Sequence, residues 1–339
     1  MTIIPGVDPD LSDMMRAVLV KHAANNDGPV TLDLALWSEL TKLGLTRLTG
    51  PGDAGGSEAS WYEAAELLSA AAAVGVRAPL AEHDLLACAL RESAGLTADR
   101  KLSTVAVLDA DGVGRFVPWA SAAERVVALW RSDGGWLLSD LATEDVIVSA
   151  GVNLIGEPRD EVRVDPSSLS GTPVAPSLIE RYRLQGALAR ALQTCAALDR
   201  SMTLTIEYVT ARTQFGRPLT RFQAVQNLVA DIAAECALAR AATEAALDSA
   251  VRADWSGDDL RLRVAVARSC TGHAASVVVR NAHQAHGAIG TTREHPLHRY
   301  TRAAIVWRGE FGSVAYWDEV LADAARTAGA DGLWPLVTK

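Results

Sequence analysis

Apolar and small residues recur every three or four positions through most of this chain, and one stretch breaks that rhythm. From Leu11 to about Thr97 the pattern is helical and rich in alanine. Asp10 or Ser12 is placed to cap a first helix, residues 31–43 read as a second, and Gly44 supplies its stop. The run TGPGDAGG at 49–56 is a loop, after which residues 57–76 resume helical spacing. Between about Ser103 and Val164 the character changes. Short apolar runs at 104–108, 125–130, 135–138 and 145–148 are broken by Asp-Gly, Gly-Gly and Pro. That is a β-rich segment with hairpin signals at Asp111-Gly112 and Asp133-Gly134, enough for a modest antiparallel sheet.

From Pro176 to about Ala328 the pattern is helical again, in unusually long segments. Leu184, Leu188, Leu192, Cys195, Leu198, Met202, Ile206 and Val209 keep spacings of three and four, behind an S-x-x-E capping box at Ser177 and Glu180. Gly216-Arg217-Pro218 ends that helix, and a second covers residues 222–251. Ser256-Gly257-Asp258-Asp259 reads as the start of a third, with Ser256 as cap, running over 258–285; a fourth begins near Pro296. Four long helices joined by short loops predict an antiparallel bundle. The fold class expected is mainly α with a small β region: an N-terminal helical domain (1–102), a reduced β domain (103–170) and a C-terminal four-helix bundle (171–339).

Composition narrows the function. The chain has 339 residues, is 49% hydrophobic and 22% charged, and carries a formal net charge of -9. No dense basic run is present, so a nucleic-acid partner is not expected. Cys88, Cys195, Cys236 and Cys270 lie too far apart for a zinc site or a secreted disulfide framework and read as buried thiols. The N-terminal MTIIPGVDPDLSD lacks the plan of a signal peptide, and no apolar stretch reaches about 18 residues, so a cytoplasmic protein without membrane insertion is expected.

The chemistry sits in the last two helical blocks. Residues 207–219, EYVTARTQFGRPL, are followed by Phe222-Gln223. A second block holds QAHGAIG at 284–290, then Glu294-His295-Pro296-Leu297 and Arg299-Tyr300-Thr301-Arg302. Near the N-terminus, residues 37–56 read WSELTKLGLTRLTGPGDAGG. Arg212 offers a planar, permanently charged fork for an anion. Gln214, Gln223 and Gln284 offer neutral hydrogen bonds, and Gly287 permits close backbone approach. His283 and His286, and again His295 and His298, share an i, i+3 spacing also found in metal sites; both pairs lie inside the second block, and no metal is expected.

Together these three stretches resemble the signatures of the acyl-CoA dehydrogenase family. The resemblance implies FAD as cofactor, contacted across a subunit interface by Arg212, Gln214, Phe215, Gln223, Gln284, Gly287 and Ala288. Ala288 stands where the family usually has a second glycine. The family removes an α-proton from an acyl-CoA thioester while the β-hydride passes to flavin, which requires a positioned carboxylate in a dry site. At the usual spacing after Gln284, the base position holds Phe311, followed by Gly312-Ser313 as the pattern expects. Glu310 is adjacent; read as part of a helix, a one-residue shift turns it away by roughly 100°, leaving it as a carboxylate at a helix start. The alternative base position on the first bundle helix holds Gly186.

The family's T-E-P-x-x-G-S-D and W-x-x-[ST] stretches have no counterpart between Ser103 and Val164, where Trp119, Trp130 and Trp136 read as filling for the small core. A chain that keeps contacts for a neighbour's FAD and lacks its own base resembles the base-lacking subunit of the α2β2 heterotetrameric acyl-CoA dehydrogenases of actinobacteria that shorten steroid side chains. That likeness implies a homologous catalytic subunit as partner, a steroid side-chain acyl-CoA as substrate and an electron-transfer flavoprotein or similar acceptor. Two rival readings remain: a self-sufficient homo-oligomeric dehydrogenase using Glu310, and a helical scaffold that binds no flavin.

Overall fold

In the computed structural model, described at residues 4, 6–23, 29–257 and 259–338, the chain divides into two compact units, Thr2–Gly186 and Ala187–Lys339. Part of the N-terminal stretch (1–3 and 5) and Asp258 lie outside the described residues.

The first unit opens with α1 (Pro9–Lys21), α2 (Leu34–Lys42) and α3 (Trp61–Val74). Their caps are better placed than the sequence alone suggests. Asp8 caps α1 by accepting from Asp10 N, so neither Asp10 nor Ser12 does; Ser12 is fully buried and donates to Glu66. Asp33 caps α2 through Ala35 N and Leu36 N, and Gly44 follows its end at φ 76°. Ser60 and Glu63 form a complete capping box on α3. A π-helical segment, Ala81–Cys88, then runs into the short α4 (Ala89–Ser93).

That π-helical segment buries a polar cluster. Arg47, 1% exposed, bonds Glu92 and lies 3.8 Å from Asp84, whose carboxylate accepts from Thr49 N and Oγ1. Burial raises the Asp84 carboxyl to about 6. His83 Nδ1 accepts from Ser103 N at 3.1 Å, and burial, with Arg47 and Arg91 nearby, lowers its pKa to about 3.

The strands are β1 (Ser103–Val107), β2 (Val113–Pro118), β3 (Arg125–Ser132), β4 (Gly135–Ala142), β5 (Ile147–Ser149), β6 (Arg159–Arg163) and β7 (Thr172–Val174). They form two sheets, β1-β3-β4-β7 and β2-β6-β5, and every pairing is antiparallel except β1 with β3. The expected antiparallel region is present as two sheets, one wholly antiparallel and one with a single parallel pairing. Asp133-Gly134 makes the hairpin it signals, with Ser132 opposite Gly135. Asp111-Gly112 does not; it passes the chain from one sheet to the other. The reason is burial: Ala106, Leu108, Val126 and Ala128 from one sheet close a common core with Val117, Val162 and Val164 from the other. Trp130 packs against this core and Trp119 is 3% exposed; Trp136 is half-buried and lies outside the core cluster.

The second unit is helical. α5 (Pro176–Ala211) spans 36 residues and enters from the first unit. It already includes Ser177, which places that residue inside the first turn, not at the cap. α6 (Gln223–Arg252) meets α5 through Asp199–Arg240 and Cys195–Thr243. α7 (Leu260–His286) packs against α6 and against α8 (Leu297–Trp307) and α9 (Val314–Thr338). Ser256 does not cap α7; its hydroxyl donates to Ala253 O. At Gly272 a Cβ would fall 2.5 Å from Val314, so the glycine sets how closely the start of α9 approaches α7.

The fourth bundle helix is in fact two. Arg268, fully buried on α7, donates through Nη2 to the carbonyls of Trp307, Arg308, Glu310 and Gly312. Carbonyls that end α8 thus find a guanidinium in place of a further helical turn. The chain turns at 308–313 before α9 begins, and α9 is itself interrupted at Gly329 (φ 65°, ψ -175°). Among the described residues no helix is long and apolar enough to cross a membrane.

His83 makes the stability of the first unit depend on pH. Its folded pKa lies below the usual 6.5 of a free imidazole, so only the unfolded chain takes up the proton as pH falls below about 6.5, and stability is lost there. Asp84 acts oppositely, taking a proton in the folded state between about 4 and 6. Denaturant titrations of wild type and His83→Gln at pH 7, 6 and 5 should separate the two. The stability difference, wild type minus variant, should fall by about 1.4 kcal/mol per pH unit below 6; a pH-independent difference would rule the account out.

Candidate functional site

The first motif block begins where α5 ends. Arg212 N still bonds Tyr208 O at 2.9 Å, and Leu219 N returns to Arg212 O at 2.9 Å. Between them a two-residue hairpin pairs β8 (Thr213–Gln214) with β9 (Arg217–Pro218). Its loop residues, Phe215 and Gly216, both have positive φ (51° and 75°), the conformation of a type I′ turn. Glycine adopts it freely; for phenylalanine it is strained, and strain of that kind clusters at functional sites. Phe215 is 91% exposed, touching Phe222 edge-on at 6.1 Å, while the Arg217 guanidinium sits 4.2 Å over the Phe222 ring. With its amide oxygen turned toward Arg212, Gln214 accepts from Nε at 3.2 Å and Nη2 at 2.8 Å, steadying an exposed guanidinium. Gln223 follows at the exposed first position of α6.

The second block lies at the end of α7. Gln284 is exposed in its last turn, and the helix stops at Gly287, whose φ of 63° and ψ of -144° suit only glycine. Nothing lies within 4 Å of where a Cβ at Gly287 would stand, so its backbone is open to an approaching group; Ala288 beside it is also exposed. The two blocks meet where the Tyr208 ring stacks on His286 at 4.5 Å and 17° and meets His295 edge-on at 5.8 Å. All seven residues expected to touch flavin, Arg212, Gln214, Phe215, Gln223, Gln284, Gly287 and Ala288, are therefore surface residues of the bundle.

The histidines make no metal site. Among the described residues no group of three His, Cys, Asp or Glu could hold an ion. His283 Nε2 bonds Thr301 Oγ1 at 2.9 Å, His286 Nδ1 bonds Ala282 O at 2.8 Å and His298 Nδ1 bonds His295 O at 2.9 Å. Burial, first among the causes, holds His283, His286 and His295 below the usual imidazole range.

The base positions are the other half of the site. Phe311 occupies the turn between α8 and α9 at φ 54°, and Glu310 precedes it in the same turn. The expectation that Glu310 stands on a helix is thus corrected; it is a loop residue held by other means. Arg190 Nε lies 2.6 Å from Glu310 Oε2, with Arg190 3% and Glu310 20% exposed at the side chain. Arg190 also bonds Gln193 and lies 5.9 Å from the Phe311 ring centre. Arg190 is one turn beyond Gly186 on α5, so a buried cation stands beside the alternative base position. Arg268 fixes the same loop from behind, and its pKa, lowered to about 10 by burial, leaves it charged at neutral pH.

Residues 173–325 match the family model described as acyl-CoA dehydrogenase, C-terminal domain. The bundle carries an acyl-CoA dehydrogenase C-terminal domain. Acyl-CoA dehydrogenase FadE34 of Mycobacterium tuberculosis is 28% identical over 298 residues, which are 83% of this chain and 41% of that protein. The chain thus spans less than half the length of this relative. Among solved structures, the ChsE4-ChsE5 complex from Mycobacterium tuberculosis matches with a TM-score of 0.80 at 20% identity, over 93% of this chain and 95% of that one. A Tcur3481-Tcur3483 steroid ACAD variant matches at 0.80 and 21%, over 95% and 98%. At these identities the likeness establishes the acyl-CoA dehydrogenase fold along nearly the whole chain.

Arg190, Arg268 and Tyr208 were not singled out by sequence. A signal existed for Arg268: Val264, Arg268, Thr271 and Ala275 share one helical face and all are buried, so a cation there needed internal acceptors. For Arg190 the motif spacing offered none, since its partner lies 120 residues away.

The Arg190–Glu310 pair should matter to the bundle whatever its chemistry. Glu310→Gln keeps an acceptor for Arg190 but strands a buried cation, a loss on the order of 1–3 kcal/mol in a denaturant titration. A change within a few tenths would show the pair contributes nothing to stability.

Proposed function

We propose that this chain is a subunit of a hetero-oligomeric, FAD-dependent acyl-CoA dehydrogenase. It supplies contacts to FAD across the interface, and a homologous partner supplies the catalytic glutamate. The observation that carries this reading is a contrast: the seven flavin-motif residues are exposed on the bundle surface, while the base position holds Phe311 and the adjacent Glu310 is tied to Arg190. The exposed face of α6 supports an interface beside them. Behind Asn227 it continues through Ala230, Ala234, Leu238 and Ala241, small or apolar side chains unlike those of an ordinary solvated helix.

The residues fit the cofactor. Arg212, aimed by Gln214, would hold the diphosphate; Gln223 and Gln284 would hydrogen-bond ribose, phosphate or adenine; Phe215 would pack on the flavin; and the open backbone at Gly287 and Ala288 would admit close approach. FAD, when bound, supplies the hydride acceptor. This chain's own residues bind and orient, and none is placed to remove the α-proton. The two-component steroid ACAD among the fold's likenesses suggests a steroid side-chain acyl-CoA as substrate, with an electron-transfer flavoprotein or similar protein accepting the electrons.

The self-sufficient reading keeps one point in its favour, since Glu310 lies in a turn that a small movement could redirect. Against it, Arg190 holds the carboxylate as an ion pair, and both usual base positions lack a carboxylate.

Purification alone and after co-expression with neighbouring acyl-CoA dehydrogenase genes tests the assignment. The chain alone should show little flavin absorption and the co-expressed complex a full band; flavin-loaded, active homo-oligomers would overturn the proposal. Arg212→Ala should weaken FAD retention in the complex roughly ten- to a hundredfold, the loss of one charge-assisted contact worth about 1.5–3 kcal/mol, and leave the chain folded. Glu310→Gln should leave kcat of the assembled complex within a few-fold. A fall of about 10²–10⁴, the range for a lost general base, with FAD still bound, would return the role of base to Glu310.

A further inference from the structure

We propose that Tyr208 and His286 are positioning residues for the flavin contacts, their ring stack holding Arg212 at the end of α5 in register with Gln284 and Gly287 at the end of α7. This rests on the flavin reading above and deepens it. Arg212 and Gln284 come from helices that end separately, followed by an exposed hairpin in one case and a short turn in the other. Two exposed groups can serve one extended ligand only if the helix ends that carry them keep a fixed separation.

The geometry places the stack where it would do this. Tyr208 is one turn before Arg212, and its carbonyl accepts from Arg212 N at 2.9 Å, so the ring and the start of the guanidinium's side chain belong to the same last turn. His286 is the last residue of α7, two positions after Gln284 and one before Gly287. Its Nδ1 donates to Ala282 O at 2.8 Å, which fixes the ring to its own helix. The two planes lie 17° from parallel with centroids 4.5 Å apart, a stacked contact with a restricted range of offsets.

A third ring completes the clamp. His295 packs 4.5 Å from His286 and meets Tyr208 edge-on at 5.8 Å, while its Nδ1 accepts from Leu297 N at the start of α8. The contact thus reaches from α5 through α7 to α8. Burial and neighbouring histidines depress both imidazoles, so at neutral pH the column is uncharged and its stacking is not opposed by like charges.

A double-mutant cycle on FAD affinity tests this, read by flavin fluorescence in whichever FAD-loaded form is purified, the complex or the chain alone. Tyr208→Phe, which keeps the ring, should bind FAD like wild type. Tyr208→Leu should lose roughly tenfold or more. In Tyr208→Leu/Arg212→Ala the loss should stay within about twofold of Arg212→Ala alone, because a misplaced arginine and a missing one are the same defect. Additive losses would overturn the proposal and leave Tyr208 as a generic packing residue. If Arg212→Ala itself leaves affinity unchanged, the flavin reading fails first, and the inference with it. A check independent of flavin is the imidazole proton spectrum of the chain alone: Tyr208→Leu should shift the His286 resonance out of the ring-current field. An unmoved resonance would remove the stack itself.

Discussion

A fully buried arginine on α7 organises the second unit. Transferring a guanidinium from water into a packed helical core is tolerable only if the core supplies acceptors. Arg268 obtains them from four backbone carbonyls at the end of α8 and in the following turn. Those carbonyls lie at the end of α8 and in the turn that separates it from α9, so one side chain on α7 ties down the break between the two helices, in the turn that holds Phe311.

From that turn the rest of the site follows. Phe311 takes a left-handed conformation and Glu310 is drawn to Arg190 on α5, so the carboxylate nearest the base register is spent on a buried arginine. Meanwhile the opposite ends of α5 and α7 carry their polar motif residues outward, with an exposed phenylalanine held at positive φ. One end of the bundle is closed on itself by ion pairing, and another leaves its motif residues exposed.

The first unit solves a different problem with the same currency of buried charge. Arg47, Asp84 and Glu92 pin the 47–56 loop to the π-helical segment and α4, and Asp160 accepts from Ser121 N and Gly151 N to hold two loops of the β region. The sheets are small, and a common core of mostly alanine and valine joins them. Such a core can be built only if the chain crosses between sheets early, which is why Asp111-Gly112 connects the two sheets and is not a hairpin.

What the sequence determined is what local physics can encode. Period-three-and-four spacing fixed the existence of α1–α3 and α5–α7 within a few residues, Asp-Gly fixed one hairpin, and the two motif blocks marked the residues that the bundle leaves exposed. What only the tertiary structure decided are the features that need partners distant in the chain. The parallel pairing of β1 with β3, the split between α8 and α9, and the exchange of a helical place for a loop at Glu310 all depend on groups brought together by folding. Arg190 and Glu310 are 120 positions apart, and Tyr208 reaches His286 across two helices. Periodicity reports which face of a helix is buried, but not which buried charge will claim another segment's carbonyls. That choice is made by packing, because the desolvation of a charge is settled only when every acceptor around it is in place.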